Sequence, residues 1–172
     1  MDESEKTMAD RQTTLIRGTF DEWPDVLRAW FDGTHLHDKA SFAASLIAVD
    51  PLHWPCTSLL SVGEIVVPDS HGVRFALWPQ SRTARALAAG GNALLEFVFE
   101  HVWYQVRLGV STPRRQDATT LTVFDAVLEA AQWQRVDYAQ LVAGVTFELL
   151  EPARAAVLAR WDAQIRALLA HD

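Results

Sequence analysis

Two hydroxyl side chains and a guanidinium stand together where a helix is predicted to begin. Ser81, Arg82 and Thr83 follow an apolar, strand-like run over 73–78, and an alanine-rich helix is predicted over 83–89. The first N–H groups of a helix have no acceptor within the helix and lie at the positive end of its dipole. Because the side chains add further donors, the pattern favours an anionic ligand, above all a phosphate. A plain N-cap at Ser81 explains the serine alone equally well.

The charge balance limits the kind of partner. The formal net charge is −7, which argues against non-specific nucleic-acid binding, since that depends on many cations. Arg74, Arg82 and Arg85 nevertheless lie in a stretch from 73 to 95 without any acidic residue. No apolar run approaches the roughly 20 residues that cross a membrane, and the polar first residues lack the features of a secretory signal. We therefore expect a soluble cytoplasmic protein that binds a small molecule and contacts neither nucleic acid nor membrane.

Strand-like and helix-like patterns divide the chain into one folded unit. At 172 residues the chain has the length of one domain, and we expect a flexible N-terminal tail over 1–18 and a single domain over 19–172. The predicted strands cover 45–49, 56–67, 73–78, 95–99, 102–110 and 145–149, and the predicted helices cover 21–31, 83–89, 117–132 and the residues after 151. Short antiparallel connections between most strands predict a mainly β fold with flanking α-helices. A six-stranded antiparallel barrel, closed or partly split, fits better than a doubly wound parallel sheet.

Other residues that could carry chemistry have simpler explanations. His35, His37 and Asp38 lie close together in sequence, but they lack an evident third ligand, so a surface loop is favoured over a metal site. Cys56, the only cysteine, excludes an internal disulfide and is predicted to be a buried structural thiol on a strand. No metal site is therefore predicted, and no sequence pattern indicates a catalytic nucleophile paired with a base.

Three segments together resemble a known family. They are Pro-Cys-Thr-Ser-Leu-Leu-Ser-Val-Gly at 55–63, Ser-Arg-Thr at 81–83 and Tyr-Gln-Val-Arg at 104–107. Their order and separation, from about 44 to 110, resemble the FMN-binding split-barrel superfamily, which includes pyridoxamine 5′-phosphate oxidase. The resemblance implies a six-stranded antiparallel split β-barrel of the FMN-binding type.

The resemblance also implies a cofactor site. Members of this family bind FMN without a covalent link near the interface of a homodimer, with the phosphate at the helix start and the ring system along neighbouring strands. The residues that the resemblance assigns to the cofactor are Thr57, Ser58, Leu77, Trp78, Ser81, Arg82, Thr83 and Gln105. Period-two alternation places Gln105 on the strand face of Trp103 and Arg107, opposite Tyr104 and Val106.

The implied activity is that of a flavin-dependent oxidoreductase acting on a small organic substrate. Since the cofactor performs the redox step, no catalytic side chain is named. Two departures separate this chain from the oxidases of pyridoxamine phosphate: Thr83 replaces their usual basic residue, and the C-terminal helix with Trp161 and Arg166 does not reproduce their final active-site segment. The alternatives are a deazaflavin- or haem-binding relative, a flavin sensor or store without turnover, and a structural dimer with an empty pocket.

Overall fold

One antiparallel sheet dominates the computed structural model, which describes residues 14–113 and 121–170. The strands are β1 Leu15–Phe20, β2 Ala43–Val49, β3 Pro55–Ser61, β4 Ile65–Val66, β5 Gly72–Leu77, β6 Gly91–Phe99, β7 Val102–Val110 and β8 Thr122–Val136. The helices within these ranges are α1 Asp25–Trp30, α2 Arg82–Ala86 and α3 Arg154–Leu169. The strand order is β3-β2-β6-β7-β8-β5-β4, and β1 pairs with β8 as well. The expected mainly β fold with flanking helices is confirmed.

The described residues form eight strands, so the prediction of six was wrong. The predicted strand over 56–67 divides into β3 and β4, because a turn intervenes in which the N–H of Glu64 donates to the carbonyl of Ser61 at 3.0 Å. β1 lies partly within the expected tail, since residues 15–18 pair with β8. Residues 1–13 of that tail lie outside the described residues.

The predicted helix over 117–132 is a strand wherever the structure describes it. Residues 117–120 lie outside the described ranges, and Thr122–Val136 forms β8. A β-bulge explains the error, because Arg107 pairs with Ala130 while Leu108 pairs with Leu128. The extra residue, Glu129, lengthens the spacing of buried positions from two to three residues between Leu128 and Ala131. A spacing of three within apolar residues is also typical of a helix.

The main core fills the concave side of the curled sheet. Buried apolar side chains from seven strands and α1 meet there, including Phe75 and Phe124, whose rings stack with centroids 5.4 Å apart. Leu27 of α1 and Phe31, which follows that helix, are both inside this core. Cys56 is buried on β3, as predicted.

The helix α3 covers only part of the other side of the sheet. Trp161, Ile165 and Leu168 are buried against a second, smaller core that contains Ala76 of β5. Within the described part of the chain, the predicted strand over 145–149 is reduced to a single bridge between Phe42 and Thr146. None of the described helices is long and apolar enough to cross a membrane.

Candidate functional site: a helix start and a polar row on the sheet

Ser81 begins α2 as an N-cap. Its extended backbone lets Oγ accept a hydrogen bond from the N–H of Ala84 at 3.1 Å. The serine hydroxyl is therefore used by the helix itself, as the plain capping interpretation predicted. The N–H groups of Arg82 and Thr83 lie in the first turn, where a helix offers no acceptor to its own backbone. Arg82 is exposed, so its amide remains as a backbone donor at this end, whereas Thr83 is buried.

Arg82 forms an ion pair with the turn between β2 and β3. Its Nη2 donates to Oδ2 of Asp50 at 2.8 Å, and Asp50 also accepts the N–H groups of Leu52 at 2.9 Å and Trp54 at 3.0 Å. The Arg82 side chain is 61% exposed, whereas that of Asp50 is 14% exposed. The hydrogen bond from Arg82 is the main cause that lowers the pKa of Asp50. Since a guanidinium carries five N–H donors, the remaining ones stay free for an anion.

The third residue of the motif is closed off from solvent. Thr83 is 1% exposed, and its Oγ1 has no hydrogen-bond partner among the described residues. A buried hydroxyl without a partner destabilises a fold. Thr83 is therefore not accessible to a ligand in this conformation.

Of the two site residues predicted at the end of β5, only one is exposed. Leu77 is buried in the main core, whereas Trp78 is 49% exposed. The carbonyl of Trp78 accepts the N–H of Ser81 at 2.9 Å, which joins the strand end to α2. A ligand at the helix start would therefore meet the indole of Trp78 but only the backbone of Leu77.

Thr57 and Ser58 face opposite sides of the sheet. They are neighbours on β3, where successive side chains alternate. Ser58 lies opposite the fully buried Leu46, while the exposed Thr57 lies opposite Ile47. One ligand on one face cannot use both side chains. Thr57 is on the convex face that α3 leaves uncovered.

Gln105 also lies on this convex face, as the alternation predicted. Its Nε2 donates to Oε1 of Glu96 on β6 at 2.6 Å, and its Oε1 accepts from Nε2 of Gln132 on β8 at 2.6 Å. The strand register aligns these residues across β6, β7 and β8. We call Glu96, Gln105 and Gln132 the amide row.

A carboxylate fixes the direction of the amide row. Ionised Glu96 can only accept hydrogen bonds, so Gln105 must turn its NH₂ group toward it. The carbonyl oxygen of Gln105 then faces β8, and Gln132 must donate. Each amide keeps one N–H that the row does not use.

A depression of about 280 Å³ lies beside the amide row. It is lined by Thr19, Leu94, Gln105, Arg107, Ala130, Ala131 and Gln132. Among the described residues of this lining, Arg107 alone carries a charge. Its guanidinium forms no ion pair or hydrogen bond within the ranges that the structure describes.

The predicted site residues therefore do not form one cluster. Trp78, Ser81 and Arg82 surround the start of α2, where Leu77 and Thr83 are buried, and Ser58 faces the concave side of the sheet. Thr57 and Gln105 lie on the convex face, where Thr57 and Arg107, a neighbour of Gln105, are three strands apart along one register row. Strands spaced by about 4.8 Å place those two positions about 14 Å apart.

Sequence reasoning missed three residues of this arrangement. Asp50 was not assigned to the site, because its partner Arg82 is 32 residues away and no local pattern links them. Glu96 and Gln132 depend on cross-strand register, and Gln132 was placed on a helix. For Glu96 the alternation of β6 was a usable signal, since it put the carboxylate on the solvent side.

The histidines His35 and His37 lie in an exposed turn, as expected for a surface loop. Both approach Asp38, with nitrogen–oxygen distances of 3.9 Å and 3.4 Å. In the described part of the chain, no group of three or more His, Cys, Asp or Glu residues is placed to hold a metal ion.

Comparisons with known proteins give one distant relative and solved structures of low similarity. No protein-family model matches the chain. The uncharacterized protein YclD of Bacillus subtilis (strain 168) is 29% identical over 139 residues, which cover 80% of this chain and 89% of that protein. An FMN-binding protein from Syntrophomonas wolfei subsp. wolfei has 9% identity and a TM-score of 0.44, over 74% of this chain and 92% of its own. The FAD binding protein from Mycobacterium smegmatis has 12% identity and a TM-score of 0.44, over 71% and 99%.

Proposed function

We propose that this chain is an FMN-binding split-barrel protein whose flavin takes part in an oxidoreductase reaction on a small organic substrate. The observation that carries the proposal is the exposed guanidinium of Arg82 beside the backbone N–H of the same residue in the first turn of α2. Both kinds of donor suit the phosphate of FMN. The sequence resemblance to FMN-binding split barrels supports the same cofactor.

The surroundings of Arg82 fit a phosphate joined to a planar ring. Trp54 lies in the turn whose N–H groups donate to Asp50, Trp78 precedes the N-cap of α2 by three residues, and both residues are exposed. Exposed indoles provide flat apolar surface for an aromatic ligand. Flavin chemistry would supply hydride or electron transfer, while the chain would bind and orient the cofactor.

We further propose that the protein is a homodimer with the cofactor near the subunit interface. The convex face of β2 and β3 supports this proposal, because α3 contacts β4 and β5 and leaves that face uncovered. Val49 on β2 and Leu59 on β3 both expose apolar side chains there. Exposed apolar surface that no helix covers is typical of association sites.

The first test identifies the cofactor directly. The freshly purified protein is examined by absorption spectroscopy, and anything released by heat is identified by mass spectrometry. FMN supports the proposal, whereas a deazaflavin or haem replaces it. A flavin that dithionite reduces but no nicotinamide donor reduces would contradict the oxidoreductase part and leave a sensor or store.

The second test separates the phosphate from the ring. Titration with FMN and with riboflavin, which lacks the phosphate, should show a clear preference for FMN. Arg82→Gln should weaken FMN binding by about tenfold or more, since hydrogen bonds to charged groups contribute roughly 1.5–3 kcal/mol. The exposed Arg85 lies on the same helix, so Arg85→Gln is the matched control and should keep the preference. Equal binding of the two ligands by the unaltered protein would refute the phosphate assignment.

A further inference from the structure

The depression beside the amide row has the chemistry of an anion site. Arg107 is the one charged residue of its described lining, and its guanidinium is without a partner in the part of the chain that the structure describes. Arg107 lies in the middle of β7 and not at a strand end. A cation held on a strand is better positioned than one on a loop, because the ladders on both sides fix its backbone.

The walls of the depression add donors. Gln105 and Gln132 each keep one N–H beyond those used in the amide row, and Thr19 lies opposite Gln132 with an exposed hydroxyl. Glu96 accepts the N–H of Gln105 and is not part of the lining. The polar wall is therefore able to donate to a negative group.

The other side chains that line the depression are apolar and mostly small, which leaves room next to the guanidinium of Arg107. Leu94 and Ala130 flank Arg107 on the two neighbouring strands. The β-bulge lies directly at Arg107, and bulges commonly redirect side chains next to binding sites. The volume of about 280 Å³ lies just below the roughly 300 Å³ at which pockets for drug-sized ligands begin, so it suits only a small molecule.

We propose that this depression binds the carboxylate of a small organic acid, with Arg107 as its main partner and the amide row as a donating wall. The binding itself depends only on these residues. The role of the bound acid rests on the proposed function, because it is the substrate only if the flavin site exists.

The test uses benzoate and the full chain, followed by the side-chain N–H signals of Gln and Arg in ¹H–¹⁵N NMR spectra. Benzoate should shift the Gln105, Gln132 and Arg107 signals in a saturable titration. Benzamide, a neutral molecule of nearly the same shape, should bind at least about tenfold more weakly, because it lacks the charge that strengthens the hydrogen bonds.

Matched variants assign the binding to one arginine. Arg107→Gln should weaken benzoate binding by about tenfold or more. Arg160→Gln, an equal change of charge at an exposed position of α3, should leave it unchanged. Equal binding of benzoate and benzamide, or binding that Arg82→Gln removes and Arg107→Gln does not, would overturn the proposal.

The proposed flavin site and the proposed acid site can be refuted independently of each other. FMN titration of the same samples reports on Arg82, while benzoate titration of flavin-free protein reports on Arg107. Benzoate binding without FMN binding supports the acid site and contradicts the flavin function; the reverse result contradicts the acid site alone.

Discussion

Nη2 of Arg82 lies 2.8 Å from Oδ2 of Asp50, which joins the start of α2 to the turn between β2 and β3. The same carboxylate accepts two backbone N–H groups within its own turn. The ion pair raises the pKa of Arg82 further, through the hydrogen bond first and the charge of Asp50 second. A phosphate that binds Arg82 would therefore share the guanidinium with a carboxylate of the same sign as itself.

We expect Asp50→Asn to strengthen FMN binding by about twofold to fivefold, because an exposed ion pair contributes roughly 0.2–1 kcal/mol. The asparagine oxygen can still accept the turn N–H groups, so the turn should persist. Riboflavin binding should not change. Fluorescence titration with both ligands measures the effect, and weaker FMN binding in the variant would show that Asp50 orients Arg82 instead of competing for it.

The buried hydroxyl of Thr83 should destabilise the protein. Because Oγ1 has no partner among the described residues, Thr83→Val should raise the free energy of unfolding by about 1 kcal/mol, within the range for buried unsatisfied groups. Urea unfolding followed by circular dichroism measures this. The contrasting variant is Ser81→Ala, which removes the cap hydrogen bond and should lower stability by about 1 kcal/mol. A loss of stability in Thr83→Val would mean that the hydroxyl has a partner in solution.

Gly63 should tolerate no side chain. A Cβ at this position would overlap Cγ of Trp161, a buried residue of α3. Gly63→Ala should therefore destabilise the protein by about 1–3 kcal/mol through overpacking. Gly144→Ala is the control, since its Cβ would meet Val98 at an ordinary 3.4 Å. Similar urea midpoints for the two variants would contradict the close packing of α3 on this turn.

Acid should weaken the turn between β4 and β5. Oδ1 of Asp69 accepts the N–H groups of Gly72 at 2.6 Å and His71 at 2.8 Å, and these bonds, that of Gly72 first, lower the pKa of Asp69 below 3.8. A lowered folded-state pKa means that the stabilisation is complete above pH 3.8 and is lost as the pH falls through the folded value.

The corresponding experiment compares the unaltered protein with Asp69→Asn across this pH range. At pH 7 the variant should be the less stable of the two, and the difference should shrink below pH 3.8. Chemical unfolding at each pH measures the free energies. A difference that stays constant down to pH 2 would show that the charge of Asp69 contributes nothing.

Local sequence patterns predicted those strands and helices whose buried residues recur at a regular spacing along the chain. The strand predicted over 95–99 lies within β6, where Leu95 and Phe97 are buried and Phe99 is partly buried. The helix predicted over 21–31 forms in a shorter range, Asp25–Trp30, with Leu27 on its buried face. In these elements each residue's environment is set by its near neighbours in sequence.

The candidate site could be predicted only in part, because its contacts join distant segments. The N-cap at Ser81 follows from local sequence, but the partner of Arg82 does not. The amide row required the register of three strands, and one of them had been predicted as a helix. The exposure of Trp78 and the burial of Leu77 and Thr83 depend on how α2 packs, which residue type alone does not determine.

β8 carries one residue more than its ladder with β7 requires. If Glu129 were removed, Phe124, Ala126, Leu128 and Ala131 would alternate without interruption, and Gln132 would still point outward. We infer that deletion of Glu129 would be tolerated far better than deletion of Ala131 or Gln132, which would reverse the faces of the following residues. The extra residue Glu129 therefore interrupts the period-two pattern of β8 in the sequence. The residues of β8 that follow it nevertheless keep their orientation.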